Sequence, residues 1–306
     1  MAVETKTKKI VAVGSEAKSM LGKTPASITA LRPIVDGVIG EYSLSVAMLT
    51  AYMKKISNGV FSGRPKVVVC IPRGVTEVER RAVEDAAMAA GARSVALIDE
   101  PVAAAIGAGL KVKSSKGHLI VDIGGGTTEI ALLSMGEVVA SQTLKTAGDE
   151  FDAAIVGYIR RRFNVLIGEF TAELVKKNIG QVYKEPDSAS MEIYGRNLYT
   201  GLPAAITLTG SDLREALYEP ICEVVAAIKA VLEKTPPELT ADLHEHGILV
   251  CGGGALLKGI RMLIFEETGV KVEIAQRPLD CVSEGLGIVL ENLGEMAGFL
   301  QVAHRK

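Results

Sequence analysis

One stretch constrains this chain more than any other: His118-Leu119-Ile120-Val121-Asp122-Ile123-Gly124-Gly125-Gly126-Thr127-Thr128-Glu129-Ile130-Ala131-Leu132-Leu133. Leu119 to Ile123 is too short and too continuously apolar for a surface helix, so it reads as a buried strand. Three glycines at its end would weaken a strand interior unless the backbone bends sharply there or something approaches it closely. Successive free N–H groups in such a turn form a concave anion site, and the hydroxyls of Thr127 and Thr128 add donors. Asp122, at the strand's end, is placed to hold a hydrated Mg²⁺, which prefers one or two carboxylates plus phosphate oxygens. The plainer alternative is a glycine-rich hairpin with a solvated Asp. Acid, glycine run and hydroxyls coincide in one turn, so the working inference is a phosphate clasp.

The chain's 306 residues suffice for two domains or lobes. Hydrophobic residues at 48% and charged residues at 23% are ordinary for a soluble globular protein. A net charge of −2 gives no electrostatic reason to expect nucleic acid. Cys70, Cys222, Cys251 and Cys281 are widely spaced without a C-x-x-C pair, which suggests buried thiols in a reducing cytosol. Met1 to Lys9 is polar and basic with no apolar core, unlike a signal peptide, and no apolar run is long enough to span a bilayer. The expectation is a cytoplasmic protein whose membrane contact, if any, is peripheral.

Along the chain, strands alternate with helices, which implies an α/β layered fold. A strand at Ile10–Val13 and a short helix at Ser15–Leu21 suggest a small subdomain over about residues 1–37, closed by a turn at Asp36-Gly37. Gly22-Lys23-Thr24 is not a P-loop, because position 17 is Ala17 where that fingerprint needs glycine. A helix at about Ser45–Ile56 leads to the loop Asn58–Pro65, where Val60 and Phe61 sit between turn formers. These two either fold back onto the protein or form an apolar tip, flanked by Lys54, Lys55, Arg64 and Lys66, suited to an anionic lipid surface. Val67–Ile71 reads as a buried strand, Thr76-x-x-Glu79 as a capping box, and Gly91 as the helix stop. After the strand Ser94–Ile98, Glu100 precedes Pro101 at the start of an Ala-rich helix. Glu100 thus stands at a strand's carboxyl end, where α/β ligand sites gather, or serves as a negative charge at a helix N-terminus; the two readings weigh equally.

Downstream, Thr146-Ala147-Gly148-Asp149-Glu150 enters a helix to about Phe163, and Glu173 and Lys176 share a face of a second helix, where a surface ion pair is the plain reading. Strands are expected near Met191–Tyr194 and Ala205–Leu208, then a helix over Ser211–Glu233 open to a break at Pro220. Gly247–Cys251 followed by Gly252-Gly253-Gly254 repeats the opening theme of strand, glycine run and helix, which suits a phosphate at a helix N-terminus. The pair reads as a duplicated fold in which each half supplies one glycine elbow to one ligand. A closing small-residue helix is expected from Ser283 to Phe299. His244 and His246, two apart, oppose each other on a helix, so that pair predicts no metal site.

The strings Asp122-Ile-Gly-Gly-Gly-Thr-Thr-Glu129, Glu100-Pro-Val-Ala-Ala-Ala-Ile-Gly107, Ala147-Gly-Asp-Glu150 and Gly252-Gly-Gly-Ala-Leu-Leu257 resemble the actin-like ATPase superfamily, and within it the MreB family of bacterial actins. Pro72–Arg81, Thr200–Pro203 and Lys234–Leu239 extend the likeness over almost the whole chain, in order. The resemblance implies an actin-like (ribonuclease-H-like) α/β fold with two lobes around an ATP and Mg²⁺ cleft. The first would comprise residues 1–115 plus 283–306, and the second residues 116–282 with a small subdomain at about 152–215. It also implies that Asp122 sits near the metal, that Gly124, Gly125, Gly126, Thr127 and Thr128 clasp phosphates, and that Glu100 and Thr127 position and activate the attacking water. Asp149 would follow the connecting glycine, Glu173 and Lys176 flank ribose and base, and Gly252, Gly253 and Gly254 line the adenosine pocket. In-line hydrolysis by such a site rests on positioning and charge stabilisation.

Two departures accompany the resemblance. The family pattern opens with an Asp-x-Gly-Thr phosphate loop, a string this chain does not hold, and Met1–Thr5 aligns with the end of that opening sheet. The first lobe would then lack central strands and one clasp, as in a piece of a longer protein or a form that binds ATP weakly. Asn178 stands where the family usually has a ribose-contacting Glu. The function implied is a cytoskeletal ATPase that assembles head-to-tail into paired protofilaments, lies on the inner membrane, and guides cell-wall elongation proteins. The alternatives are a soluble chaperone-type ATPase of the same superfamily, which would need a peptide-binding domain after the ATPase lobes, and a nucleotide-impaired paralogue.

Overall fold

The computed structural model describes residues 1–56, 63–184 and 189–302. Two compact units form, Met1–Asp99 with Gly294–Lys306, and Glu100–Leu293.

In the first unit, β1 (Ala2–Glu4) pairs antiparallel with both β2 (Ile10–Ala12) and β3 (Ile28–Ala30), with the short helix α1 (Ser15–Ser19) between the latter two. Strands β4 (Ile34–Val35) and β5 (Val38–Ile39) form a hairpin through Asp36 and Gly37, whose φ values of 50° and 73° make the tight two-residue turn that twisted strands favour. Helix α2 (Tyr42–Ile56) lays Leu44 against Met1 and Val3. The parallel pair β6 (Lys66–Ile71) and β7 (Ser94–Asp99) is joined through α3 (Glu77–Ala89). Thr76 and Glu79 cap α3 reciprocally, and Gly91 takes φ 113° just past its end.

The second unit is built on a five-stranded sheet. Helix α4 (Glu100–Gly107) leads to β8 (His118–Ile123), which hairpins to β9 (Thr128–Ser134) and on to β10 (Glu137–Leu144). Every residue of β9 and all but His118 of β8 are buried, the apolar runs Leu119–Val121 and Ile130–Leu133 together with the acids Asp122 and Glu129. Helix α5 (Gly148–Phe163) buries Phe151, Ile155, Tyr158 and Ile159, the recurring face of a 3.6-residue period. After β11 (Val165–Leu166) and α6 (Glu169–Ile179), β12 (Ser190–Asn197) pairs with β11 and with β13 (Pro203–Thr209) as a separate small sheet. Helix α7 (Gly210–Glu233) runs unbroken through Pro220. Proline forfeits one hydrogen bond there, but Leu217, Ile221, Val224 and Ile228 are buried around it, and their packing carries the helix through.

Helix α8 (Pro237–His246) then feeds β14 (Ile248–Cys251), which inserts parallel between β8 and β15 (Val272–Ile274), giving the order β10-β9-β8-β14-β15. A 3₁₀ turn at Gly253–Leu256 and helix α9 (Ile260–Thr268) connect β14 to β15. Helix α10 (Cys281–Glu291) packs on α4 with almost no gap: a Cβ on Gly107 would lie 1.8 Å from the Cys281 carbonyl oxygen, and one on Gly285 1.9 Å from that of Ala103. This crossing keeps α4 and α10 together in the second unit, so the unit borders at 99/100 and 293/294 differ from lobe borders drawn at 115 and 283. The expected closing helix to Phe299 instead ends at Glu291. Asn292 leaves helical geometry, short turns at Leu293–Met296 and Ala297–Phe299 follow, and a terminal strand Gln301–Val302 pairs with β7.

Candidate functional site

The hairpin between β8 and β9 is fastened by its carbonyls. Gly124 N–H donates to the Thr127 carbonyl at 2.9 Å, while the first N–H groups of α5, on Gly148 and Asp149, donate to the carbonyls of Gly124 and Gly125 at 3.1 and 2.7 Å. Thr128 Oγ1 donates to the Thr146 carbonyl at 2.8 Å, tying the same two segments. With the carbonyls turned to α5, the N–H groups of Gly125, Gly126 and Thr127 donate to nothing among the described residues. Gly125 has no positive φ, and a Cβ added to it would meet no atom within 4 Å. The protein's own packing therefore gives no reason for glycine at 125, whereas close approach by an external group does.

Beneath the hairpin lie three acids. Asp122 and Glu129 face each other across β8 and β9 and are 5% and 1% exposed. Thr143 Oγ1 donates to Glu129 Oε2 at 2.9 Å. Helix α4 packs on both strands and opens with Glu100, whose carboxyl is pushed up to about 7 by burial and then by the charges of Asp122 and Glu129. A helix N-terminus alone would draw a carboxylate the other way. Asp122 is pushed up to about 6 by burial, opposed by a hydrogen bond with the Cys251 thiol. Cys251, opposite Asp122 in the parallel register, is raised by its hydrogen bond with Cys281, by burial and by the Asp122 charge. Burial, neighbouring acids and a thiol set the carboxyls of Glu100 and Asp122, with no cation contributing among the described residues. Such buried oxygen donors fit a hydrated divalent cation that would supply the missing positive charge.

The second glycine run lies beside the first, on the neighbouring strand of the same sheet. Both runs therefore belong to one unit, which corrects the expectation that each half of the fold supplies one. The reason is topological: β14 inserts next to β8, so Cys251 and Asp122 are in register and their glycine turns emerge together. Gly252 takes φ 79°, and its Cβ would lie 2.3 Å from Ile123 O and 2.4 Å from Asp122 Oδ1, while one on Gly254 would lie 2.2 Å from Ile123 Cγ2. Glycine at 252 and 254 is thus demanded by β8 itself. Only Gly253 keeps ordinary room, with Leu279 at 3.5 Å.

Helix α6 closes the arrangement. Lys176 Nζ donates to the Gly148 carbonyl at 2.6 Å and pairs with Asp152 at 2.9 Å, while Glu173 pairs with Lys177 at 2.7 Å. The pairings across helices and at i, i+4 thus carry these charges. Beyond α6, Lys258 N–H donates to the Gly180 carbonyl at 3.2 Å and Val182 N–H to the Lys258 carbonyl at 2.9 Å. Hydrogen bonds therefore run from the 124–127 hairpin to α5, through the Lys176 side chain to α6, and on to the segment after the 3₁₀ turn, while the pairing of β14 with β8 sets Cys251 beside Asp122. Asn178 is exposed and bonded to the Leu174 carbonyl. Val60 and Phe61 lie outside the described residues. Glu129, Asp152 and Cys251 were not singled out from the sequence, although an acid inside the apolar strand at Glu129 is a readable signal.

Comparison with known proteins finds relatives over almost the whole chain. The family model described as MreB/Mbl protein matches residues 1–298. The chain is 46% identical over 296 residues to the cell shape-determining protein Mbl of Bacillus cereus, covering 97% of this chain and 89% of that protein. It is 47% identical over 294 residues to the cell shape-determining protein MreB of Escherichia coli, covering 96% and 85%. Among solved structures, MreB5 of Spiroplasma citri bound to ADP superposes with a TM-score of 0.92 at 38% identity, covering 97% of this chain and 90% of that one.

Proposed function

Because the chain belongs to the MreB/Mbl family and has its actin-like fold, we propose that it is a cytoskeletal protein that determines cell shape through nucleotide-dependent assembly. The observation that carries the nucleotide reading is the 124–127 hairpin, with carbonyls anchored to α5, N–H donors left over, and open space at Gly125. MreB5 of Spiroplasma citri, related to this chain, is described bound to ADP and to AMPPNP. The relatives matched over nearly the full chain are named for cell shape, so a soluble chaperone-type ATPase is not favoured.

In this reading the N–H groups of Gly125, Gly126 and Thr127 hold phosphate oxygens, and the hydroxyls of Thr127 and Thr128 secure the turn and its ligand. Asp122 holds a hydrated Mg²⁺, which supplies positive charge beside the phosphates. Glu100, with a carboxyl that titrates near neutrality, positions a water and takes its proton, assisted by Thr127. Asp149, at the start of α5, is held at the hairpin through its backbone N–H. Glu173 and Lys176 border the ribose side, and Gly253, between the constrained Gly252 and Gly254, offers backbone to the adenosine. The product is ADP and phosphate, at a slow rate suited to timing a polymer.

Subunits join head-to-tail, an interface that does not close on itself and so grows a filament, with protofilaments paired. The filament lies peripherally on the inner face of the cell membrane and guides cell-wall elongation proteins. No helix among the described residues is long and apolar enough to cross a membrane, and Val60 and Phe61 are the lipid-contacting residues of this reading. The test is sedimentation of the purified protein with and without ATP and anionic liposomes, alongside ATP affinity. ATP-dependent pelleting supports the proposal. A protein that binds no ATP and stays in the supernatant throughout refutes it, and weak ATP affinity with retained pelleting identifies a nucleotide-impaired relative.

A further inference from the structure

At the opposite end of β8 from Asp122, about 13 Å away along four strand residues, a second group of ligand-type side chains converges. Asp242, Glu245 and His246 stand at i, i+3 and i+4 on α8, one face of the helix. One ligand atom of each lies within 4.8 Å of the others. Two further observations set this group apart from an ordinary surface cluster. His246 Nε2 is buried from solvent and has no hydrogen-bond partner among the described residues, its nearest opposite charge being Glu245 Oε2 at 3.8 Å. Its ring is also held in place, stacked on His118 with centroids 5.6 Å apart, and His118 in turn contacts Ser114 Oγ at 3.3 Å. A buried imidazole nitrogen without a hydrogen-bond partner, close to carboxylates and on a ring stacked against a neighbour, is what a metal ligand needs.

We propose that Asp242, Glu245 and His246 bind a divalent transition-metal ion of the zinc type, with water completing a tetrahedral set. Asp242 is already oriented, because Gly117 N–H donates to its Oδ2 at 2.7 Å and leaves Oδ1 for the ion. Glu245 is exposed, so rotation of its side chain can bring the ligand atoms, now within 4.8 Å, to the roughly 3.4 Å that bonds of about 2.1 Å give. Its present partner, Lys116 Nζ at 3.3 Å, is half-exposed, and such a surface pair is readily exchanged for an ion. The site lies at the carboxyl end of α8, where the helix dipole favours a cation, and mixed nitrogen and oxygen donors select zinc-like ions over Mg²⁺. The opposed spacing of His244 and His246 gives no hint of it, since the set takes His246 with the two acids of its own helix face and leaves His244 out.

The experiment is calorimetric titration of the whole protein with Zn²⁺ in excess Mg²⁺ and ADP, repeated for His246→Ala, Asp242→Asn, Glu245→Gln and Cys222→Ser, with folding checked by thermal melting. Cys222 is an exposed thiol remote from the cluster in sequence and serves as the control for adventitious zinc. One ion per chain is expected, weakened at least about 10-fold by His246→Ala and by Asp242→Asn, less by Glu245→Gln, and unchanged by Cys222→Ser. No uptake, uptake indifferent to both His246→Ala and Asp242→Asn in folded protein, or uptake lost in Cys222→Ser alone overturns the proposal. The excess Mg²⁺ and ADP keep this readout independent of whether the nucleotide site behaves as proposed.

Discussion

Lys176 reaches from α6 to the carbonyl oxygen of Gly148, at 2.6 Å, and so grips the first residue of α5, whose own N–H holds the glycine hairpin. The same ammonium pairs with Asp152 at 2.9 Å, both side chains largely buried. Burial outweighs the lysine in setting the Asp152 carboxyl, which stays above its ordinary value. Removing the lysine leaves that carboxylate without its partner. Lys176→Met is therefore expected to cost about 3 kcal/mol in denaturant unfolding and to weaken nucleotide binding. The Lys176→Met/Asp152→Asn double variant should recover part of the stability but not the binding.

The glycines of the two turns should respond oppositely to alanine. Gly125 has open space where a Cβ would go, so Gly125→Ala is expected to change stability by less than about 1 kcal/mol. It should nevertheless reduce affinity for a fluorescent ADP analogue by 10-fold or more, because the methyl group occupies the approach to the N–H donors. Gly252→Ala puts a Cβ against Ile123 O and Asp122 Oδ1 in a left-handed conformation, and should cost more than about 2 kcal/mol. Thermal melts of the two variants beside binding isotherms make the comparison. An unstable Gly125→Ala, or one binding ADP normally, would remove the phosphate reading of the hairpin.

What could be read from the sequence was local. The strand-glycine-strand hairpin, the Thr76 and Glu79 capping box and the Asp36-Gly37 turn each write their geometry into adjacent residues. The family strings carried the order of the site elements as well. The missing parts depended on partners distant in the chain. That β14 lies beside β8, placing Gly252 on Asp122, follows from sheet order, which two similar strand-glycine motifs do not encode. Glu129 acquires its electrostatic weight only from being opposite Asp122 in the antiparallel register. The Lys176–Asp152 pair spans two helices, so the short-range rule that suggested Glu173 as partner for Lys176 could not find it. Pro220 shows tertiary packing overriding a local breaker.

The crossing of α4 and α10 makes its own prediction. Each helix presents a glycine to the other's backbone, and a methyl group added at Gly107 or Gly285 would lie 1.8 or 1.9 Å from a carbonyl oxygen. No rotamer change relieves a contact between Cβ and main chain, so the helices themselves must separate. Gly107→Ala and Gly285→Ala should each cost about 2–3 kcal/mol by overpacking. Because α4 carries Glu100 and α10 starts with Cys281 beside Cys251, both variants should also perturb the acid cluster, read as a changed pH dependence of stability. Gly109→Ala, at a residue with open space but a φ of 81°, is the control for backbone strain without a steric clash.

The acid cluster sets the sign of that pH dependence. Burial, then Asp122 and Glu129, raises Glu100 to about 7, well above an unfolded glutamate, so the folded protein binds a proton that the unfolded chain has released. The resulting stabilisation is fully present below the unfolded value near about 4.3 and is lost as pH rises through about 7. Nucleotide-free protein should thus lose on the order of 2–3 kcal/mol between pH 5 and 8 from this group, with Asp122 adding loss around pH 6 in the same direction. Glu100→Gln removes the Glu100 share, and its unfolding free energy should be flatter over that range. Mg²⁺ with nucleotide should flatten the wild-type curve too, since a cation beside Asp122 favours the ionised acids. In turnover assays the proton acceptor must be ionised, so hydrolysis should rise with pH with an inflection at or below neutrality and vanish in Glu100→Gln. A Glu100→Gln protein with wild-type pH dependence of both stability and turnover would separate Glu100 from the chemistry assigned to it.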